Sequence, residues 1–116
     1  MGYRSEVLLI VGKEAMPLFL TVLATSPKTR ELCFSHRDHF EKNYGEEGSM
    51  LFTWNWLKWY DSYDCVAGIQ RFMADCEEND MEDHYRFVRV GEDTTDSEEH
   101  GEFAWSEARV VRSIEW

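Results

Sequence analysis

Four consecutive residues, His36-Arg37-Asp38-His39, carry the side chains of this chain best suited to metal binding. Imidazole and carboxylate groups are ligands for zinc and related ions. His36 and His39 would face opposite sides of a strand, but they would be neighbours on a helical turn. No Cys-x-x-Cys pair completes a tetrahedral ligand set. We therefore predict exposed polar side chains beside a hairpin, with no metal and no other cofactor.

Three cysteines, Cys33, Cys65 and Cys76, are the candidate nucleophiles. Their odd number and wide spacing do not form a disulfide framework, which favours thiols in a cytosolic protein. Cys65 with His84 could act in catalysis only if the fold brought them together with an orienting group, and the same holds for His36-Arg37-Asp38 as part of a triad. The chain has neither a nucleophile elbow nor a cysteine-protease signature. We predict free, mostly buried thiols and no enzymatic activity.

Carboxylates are the most abundant chemical groups of the chain. Its 116 residues include 23 acidic and 12 basic ones, which gives a net charge of −11. Residues 1–58 hold seven of each sign, whereas residues 59–116 hold sixteen acids and five arginines. This balance argues against a surface that binds nucleic acid or anionic lipid directly. The first acidic cluster comprises Asp75, Glu77, Glu78, Asp80, Glu82 and Asp83, and the second comprises Glu92, Asp93, Asp96, Glu98, Glu99 and Glu102.

Several kinds of chemistry could use these acidic clusters. The run from Asp93 to Glu98 offers oxygen ligands for Ca²⁺ or Mg²⁺, but it lacks the alternating ligands and the central glycine of an EF-hand. Paired carboxylates for acid–base catalysis are expected by chance among so many acids. A row of carboxylates can also present the electric field of DNA to a protein that binds nucleic acid. We predict that both clusters belong to a protein-binding surface.

Aromatic residues concentrate in the segment Trp54-Asn55-Trp56-Leu57-Lys58-Trp59-Tyr60. Such rings could stack on bases, as in RNA-binding sheets, but the basic residues and the RNP pattern of those sheets are missing. In a strand, Phe52, Trp54 and Trp56 would share one face. We predict that most of these rings pack in the core. We assign Trp59 to the partner-binding surface, because an exposed tryptophan is a typical hot spot.

The first half of the chain predicts a strand, a helix and a hairpin. Residues 3–11 alternate and then become fully apolar, which favours a central strand. Residues 13–26 repeat apolar side chains at helical spacing, and Ser26-Pro27 should end that helix. Residues 30–42 are ambiguous between a strand and a short helical turn at 37–43. Residues 44–48 predict a hairpin loop that leads into an aromatic strand.

The second half predicts a helix and two strands. Residues 66–76 carry an apolar helical stripe, which Asp61 or Ser62 would cap. Residues 84–90 alternate as a strand, residues 91–101 form a polar loop, and residues 108–114 form a last strand. The element order predicts a single α+β domain over residues 1–116. It is a ferredoxin-like β-α-β-β-α-β fold with an additional C-terminal strand, a mainly antiparallel sheet and two helices on one face.

The aromatic segment at 54–60 and Arg89-Val90-Gly91-Glu92-Asp93, set in a short acidic chain, give this sequence a resemblance to small acidic phage and prophage proteins. The resemblance implies context only. Such proteins often inhibit host enzymes or bacterial defence systems, CRISPR systems included. No catalytic residue follows from it.

These observations lead to one principal expectation and two alternatives. We expect a non-catalytic, phage-type inhibitor, a monomer or homodimer that meets a nucleic-acid-binding host or defence protein through a DNA-mimicking acidic surface. The apolar runs are too short for a membrane span or an export signal, so we expect it in the bacterial cytoplasm. One alternative is a ligand-binding or enzymatic domain with Trp54, Trp56, His84 and Arg86 near a pocket. The other is a homo-oligomer joined through an exposed aromatic strand.

Overall fold

A computed structural model of the chain describes residues 3–93, 95–103, 109–110 and 114–115. Its main elements are β1 (Ser5–Val11), α1 (Met16–Thr25), α2 (Pro27–Ser35), β2 (His39–Lys42), β3 (Met50–Leu57), α3 (Asp64–Glu78), β4 (Tyr85–Gly91), β5 (Ser97–His100), β6 (Arg109–Val110) and β7 (Ile114–Glu115). Short 3₁₀ turns at Lys13–Ala15 and Glu82–His84 precede α1 and β4.

Within the part of the chain that the structure describes, five strands form one sheet in the order β2-β3-β1-β4-β5. Every neighbouring pair in it is antiparallel. β6 and β7 form a separate antiparallel pair. The predicted α+β class and antiparallel sheet are thus confirmed.

Strand β1 lies at the centre of this sheet and is covered on both faces. Residues 7–11 of β1 have no solvent exposure. Val7, Leu9 and Val11 belong to the core beneath the helices, whereas Leu8 and Ile10 belong to a smaller apolar cluster on the opposite face. A strand buried on both faces needs an unbroken apolar run, which explains why these residues do not alternate with polar ones.

Helices α1, α2 and α3 pack on one face of the sheet, where their buried side chains join a single core. The predicted apolar stripe of α3 is confirmed, since Val66, Ile69, Phe72, Met73 and Cys76 are all buried. The predicted cap is wrong: Tyr63 occupies the N-cap position without a side-chain hydrogen bond. Among the described residues, no helix has the length and apolar character needed to cross a bilayer.

The segment between β1 and β2 holds two helices where one was predicted. Ser26 is extended and ends α1 as expected, since the residue before a proline disfavours helical geometry. Pro27 nevertheless begins α2, because a first-turn position needs no N–H donor. The ambiguous residues from Arg30 to Ser35 are therefore helical. The helical turn considered at 37–43 is wrong, because β2 occupies that segment.

The second half of the sheet differs from the sequence expectation at its edge. The predicted strand at 84–90 is confirmed as β4. The predicted loop at 91–101 instead contains strand β5, which pairs with β4 in an antiparallel register. The predicted strand at 108–114 is instead represented by the short strands β6 and β7. Its remaining residues, 108 and 111–113, lie outside the described residues.

A bulge at the end of β3 separates the tryptophans. Val7 lies opposite Trp54 and Ser5 lies opposite Leu57, so β3 has one residue more than β1 between these pairs. Trp56 lies within this bulge at a φ of 53°, a conformation that bulky residues rarely adopt. Phe52 and Trp54 share one face as predicted, and this face carries the helices, but Trp56 is displaced into solvent.

Helices α2 and α3 cross where Gly68 meets Thr29. A Cβ atom on Gly68 would collide with Oγ1 of Thr29 and lie 2.9 Å from its Cβ. The Thr29 hydroxyl cannot swing away without losing its 3.0 Å hydrogen bond to the carbonyl of Cys65. The crossing therefore requires a residue without a side chain at position 68.

We expect Gly68→Ala to lower the free energy of unfolding by about 1–3 kcal/mol, as overpacking does. The clash should outweigh the gain of roughly 1 kcal/mol in helix propensity. Urea unfolding should also show that Gly68→Ala combined with Thr29→Ala costs less than the sum of the two single changes. Gln70→Ala, on the exposed face of α3, is the control. A Gly68→Ala variant more stable than the wild type would contradict this account.

Candidate protein-interaction surface

The sheet separates the acids that the sequence grouped together. The first cluster precedes β4, whereas Glu92 and Asp93 follow it. β4 spans seven residues, so its two ends lie roughly 20 Å apart. The second cluster therefore does not form one patch: it begins beyond one end of β4 and returns along β5 to the other end.

At the end where β4 begins, three backbone segments bring acids together. The amide of Glu102 donates to the carbonyl of Glu82 at 2.6 Å. The amide of Gly12 donates to the carbonyl of His84 at 2.8 Å. The amide of Lys13 donates to the carboxylate of Glu46 at 2.7 Å. These contacts join the segment that follows α3, the residues that follow β5 and the β2–β3 loop into one surface.

We call this surface the acidic edge. It comprises Glu46, Glu47, Asp75, Glu77, Glu78, Asp80, Glu82, Asp83 and Glu102, all of them exposed or half-buried. Within the described chain, none of these carboxylates pairs with a lysine or arginine; Asp83 lies 3.6 Å from His84. Sequence reasoning missed Glu46 and Glu47. The sequence did contain a signal for these two residues. In the predicted antiparallel sheet, the hairpin loop at 44–48 and the start of the strand at 84–90 must lie at the same end.

The end of α3 strengthens the negative potential of the acidic edge. The last turn of α3 carries acids and no basic residue. The helix dipole is also negative there, and acids at this position cost stability. Asn79 closes the helix: its amide donates to the carbonyl of Asp75 at 3.1 Å, and its side chain donates to the same carbonyl at 2.8 Å. The acids are thus held on a defined backbone.

Three of the six acids of the second cluster are committed to arginines of β4. Arg89, whose side chain is 10 % exposed, lies 2.8 Å from Asp96 and 3.0 Å from Glu98. Arg86 makes a close ion pair with Glu99. A buried guanidinium requires such partners, because an unpaired buried charge costs several kcal/mol. The charges of Asp96, Glu98 and Glu99 are therefore largely compensated inside the domain.

Hydrogen bonds also hold the turn that follows β4. The Tyr3 hydroxyl donates to Asp96 at 2.8 Å, and the amide of Arg4 donates to Glu92 at 3.3 Å. The Asp93 carboxylate accepts from the amide of Thr95 at 3.0 Å, which lowers the pKa of Asp93. The hydrogen bond from Arg89, with that from Tyr3, holds the pKa of Asp96 below its usual range. Glu92 and Asp93 remain exposed here, away from the acidic edge.

The structure places Trp59 in the core, which corrects its assignment to the partner-binding surface. Its ring packs against Trp54 and Phe87 at centroid distances of 5.6 and 5.9 Å. Trp59 is only 8 % exposed, whereas Trp56 is 58 % exposed. Among the described tryptophans, Trp56 is the one that a partner could reach. The bulge in β3 determines that Trp56, rather than Trp59, is exposed. Nothing in the sequence indicated this bulge.

The candidate metal and nucleophile residues do not form a site. Within the described residues, no group of three or more His, Cys, Asp or Glu side chains is arranged to hold a metal ion. Burial raises the pKa of both Cys33 and Cys76 to about 12, so these thiols stay protonated. Cys65 lies in the first turn of α3, whereas His84 follows its far end. They cannot act as a catalytic pair across that helix.

The alternative pocket of Trp54, Trp56, His84 and Arg86 is not assembled either. Trp54 is buried beneath α2, where its Nε1 donates to the carbonyl of Leu32 at 3.1 Å. Trp56 and His84 lie at opposite ends of the sheet, and Arg86 pairs with Ile10 on the face away from the helices. A cleft of about 270 Å³ does lie between α2 and α3, lined by Lys28, Glu31, Leu32, His36, Leu57, Tyr63 and Cys65. It contains none of the four residues.

Comparison of the chain with protein-family models, with curated proteins and with solved structures finds no match.

We expect the Arg89–Asp96 pair to make stability depend on pH. The folded-state pKa of Asp96 is lowered, so its contribution is present above the unfolded-state pKa of about 3.9 and is lost as the pH falls through the folded-state value. Asp96→Asn should reduce the free energy of unfolding at pH 7 and flatten its decline on acidification. Urea unfolding between neutral and acidic pH measures both effects.

Glu14→Gln is the matched control, because that side chain is exposed and makes no ion pair among the described residues. This control should keep the wild-type acid response. An Asp96→Asn variant with the wild-type slope below pH 5 would contradict the role of the pair.

Proposed function

We propose that this chain is a non-catalytic, phage-type inhibitor that binds a nucleic-acid-binding host or defence protein. The acidic edge is the surface that would meet this partner. The observation that carries the proposal is the collection of nine carboxylates at one end of the sheet without a lysine or arginine partner among the described residues. The acids of β5 do not share this property, since Arg86 and Arg89 compensate them.

The charge pattern of the acidic edge suits a basic groove. Duplex DNA carries one negative charge per roughly 1.7 Å of its axis, and its binding proteins gather lysine and arginine to match. A rigid surface rich in carboxylates attracts the same grooves and steers the encounter over long distances. The longest extent of the domain is 37 Å, about one helical turn of DNA, so it could block one such groove.

The position of the acids at the end of α3 supports a binding role over a purely solubilising one. Acids that serve only solubility can be spread over any exposed position. Here they concentrate at the C-terminal end of α3, where their repulsion with the helix dipole reduces stability. A cost of this kind is easier to understand if the local negative potential is used for binding.

We further propose that the fold is a variant of the ferredoxin-like arrangement. The order β2-β3-β1-β4 with all pairs antiparallel, and the helices on one face, support this proposal. The variation would consist of the additional helix α2 before β2 and of β5 beside β4. In such an arrangement the face opposite the helices is a common ligand surface. Here Phe103 and Ile114 are buried in a cluster on that face, which leaves the acidic edge as the better candidate.

We expect neutralisation of the acidic edge to abolish partner capture. The test variant combines Glu77→Gln, Asp80→Asn, Glu82→Gln and Asp83→Asn. The matched control removes the same charge elsewhere through Glu31→Gln, Asp61→Asn, Asp64→Asn and Glu92→Gln. Tagged wild-type protein and the control should capture a bacterial nucleic-acid-binding protein at low salt and lose it at high salt, because exposed charge interactions are screened.

Competition separates mimicry from general attraction between charges. A short DNA duplex added at constant ionic strength should release the captured protein, since both ligands use one groove. Circular dichroism confirms that each variant is folded. Capture that persists in the edge variant, or that is lost equally in the control, would overturn the proposal.

A further inference from the structure

Helices α2 and α3 run antiparallel where they pack against each other. The Arg71 guanidinium donates to the hydroxyl of Thr25, just before α2, at 2.6 Å. Further along the chain, Thr29 meets Gly68, which precedes Arg71 in α3. The contacts thus advance along α2 while they move backward along α3. Residues that follow Thr29 therefore lie beside residues that precede Gly68.

Cys33 and Cys65 lie on the facing sides of these helices, one turn beyond the contact between Thr29 and Gly68. Side chains three or four positions apart share a helix face. Cys33 follows Thr29 by four positions and Cys65 precedes Gly68 by three, so both lie at the junction of the helices. Leu32, the neighbour of Cys33, lines a cleft with Cys65. The two thiols are thus neighbours across the helix pair.

The crossing brings the two helix backbones within the range of a disulfide. A Cβ atom on Gly68 would lie 2.9 Å from the Cβ of Thr29, so little side-chain volume separates α2 from α3. Helix axes with small contact residues lie about 8 Å apart, and each Cα atom lies roughly 2.3 Å from its axis. Facing Cα atoms near the crossing then fall within the range of about 4.4–6.8 Å that a disulfide requires.

An electrostatic effect agrees with this proximity. Burial raises the pKa of Cys33 to about 12, and the charge of Cys65 adds to that rise. Charge interactions weaken with distance, so an effect of one thiol on the other requires that the two lie near each other.

We propose that a peroxide oxidises Cys33 and Cys65 to a disulfide that joins α2 to α3, and that a small dithiol reduces it again. Cys65 reacts first, because it is half-buried and lines two open clefts of about 270 and 360 Å³. Cys33 has no solvent exposure, so it meets the oxidant only through Cys65. The pair acts as a redox-sensitive lock within the helical layer.

The reaction consumes one peroxide for each disulfide. The Cys65 thiolate attacks a peroxide oxygen; an S–O bond forms, the O–O bond breaks, and the departing hydroxide takes up a proton as water. The Cys33 sulfur then attacks the sulfur of the Cys65 sulfenic acid and loses its proton. An S–S bond forms, the S–O bond breaks, and the second hydroxide leaves with that proton as water. Two electrons pass from the two thiols to the peroxide.

The surroundings of Cys65 set the rate of this reaction. Burial raises the pKa of Cys65 and outweighs the amide of Val66 and the ammonium group of Lys28, which favour the thiolate. The thiolate is the nucleophile, so oxidation is slow. The lock therefore responds to sustained exposure to peroxide and not to a brief pulse.

Cys76 provides an internal reference for this pair. It is buried in α3 and lies eleven residues after Cys65, which is roughly 16 Å along the helix axis. A disulfide cannot span that distance. Oxidation of the folded chain should therefore select Cys33 and Cys65 and leave Cys76 reduced.

Thiol counting and mass spectrometry test the lock. Reduced, folded wild-type protein treated with hydrogen peroxide should fall from three titratable thiols to one. Its intact mass should fall by about 2 Da, since two hydrogens are lost. Digestion without reductant should yield one linked peptide that contains Cys33 and Cys65. Dithiothreitol should restore all three thiols.

Thermal unfolding measures what the bond does to the fold. The disulfide closes the chain between residues 33 and 65, so the oxidised protein should melt roughly 10 °C above the reduced one. Cys33→Ala and Cys65→Ala should each abolish both the linked peptide and the rise. Cys76→Ala is the matched control, because it removes a buried thiol outside the pair and should keep both.

Several outcomes would overturn the proposal. One is a folded wild type that keeps its three thiols, or that loses thiols without forming the linked peptide. Another is a linkage that involves Cys76 or joins two chains. A third is a melting temperature that oxidation leaves unchanged or lowers, or that rises equally in Cys65→Ala. If Cys33→Ala fails to fold, Cys65→Ala at its half-buried position decides the matter.

Discussion

The burial of β1 on both faces is the constraint on which the rest of the structure depends. An unbroken apolar run at 7–11 can be removed from water only if strands flank it and covering elements lie above and below. β3 and β4 supply the flanking strands, the helices cover one face, and Phe103 and Ile114 contribute to the cluster on the other. The ends and edges of the sheet therefore remain as its accessible parts.

Charge is then distributed according to whether it can be compensated. Arg89 points from β4 into a nearly buried position, and its guanidinium draws Asp96 and Glu98 into ion pairs. These carboxylates stabilise the junction of β4 and β5 and are largely unavailable to a partner. The acids around Glu82 meet no such cation within the described residues, so their field extends into solvent. The acids that give the chain its net charge of −11 thus fall into two groups. One group forms ion pairs that stabilise the fold, and the other lies exposed at the acidic edge.

Particular elements show how far the sequence could predict this architecture. The stripes of α3 and β4 follow directly from their periodicities, because one face of each is buried and the other is not. The helix α2 could not be predicted in this way. Its segment has a weak apolar pattern, and Pro27 can either break a helix or begin one. β5 could not be predicted from the sequence for a related reason. An edge strand held by ion pairs carries polar residues and lacks the apolar alternation of a core strand.

The sequence by itself determined the central strand, the helical stripe of α3 and the acidic excess of the second half, because each is a local property of residue type and spacing. Only the tertiary structure decided which acids act together, since antiparallel pairing brings Glu46 and Glu102 to Glu82 from distant parts of the chain. Tertiary structure also decided that Trp59 is buried and Trp56 exposed. A single additional residue in β3 turns the chain there, and such a bulge depends on the partner strand rather than on the local sequence.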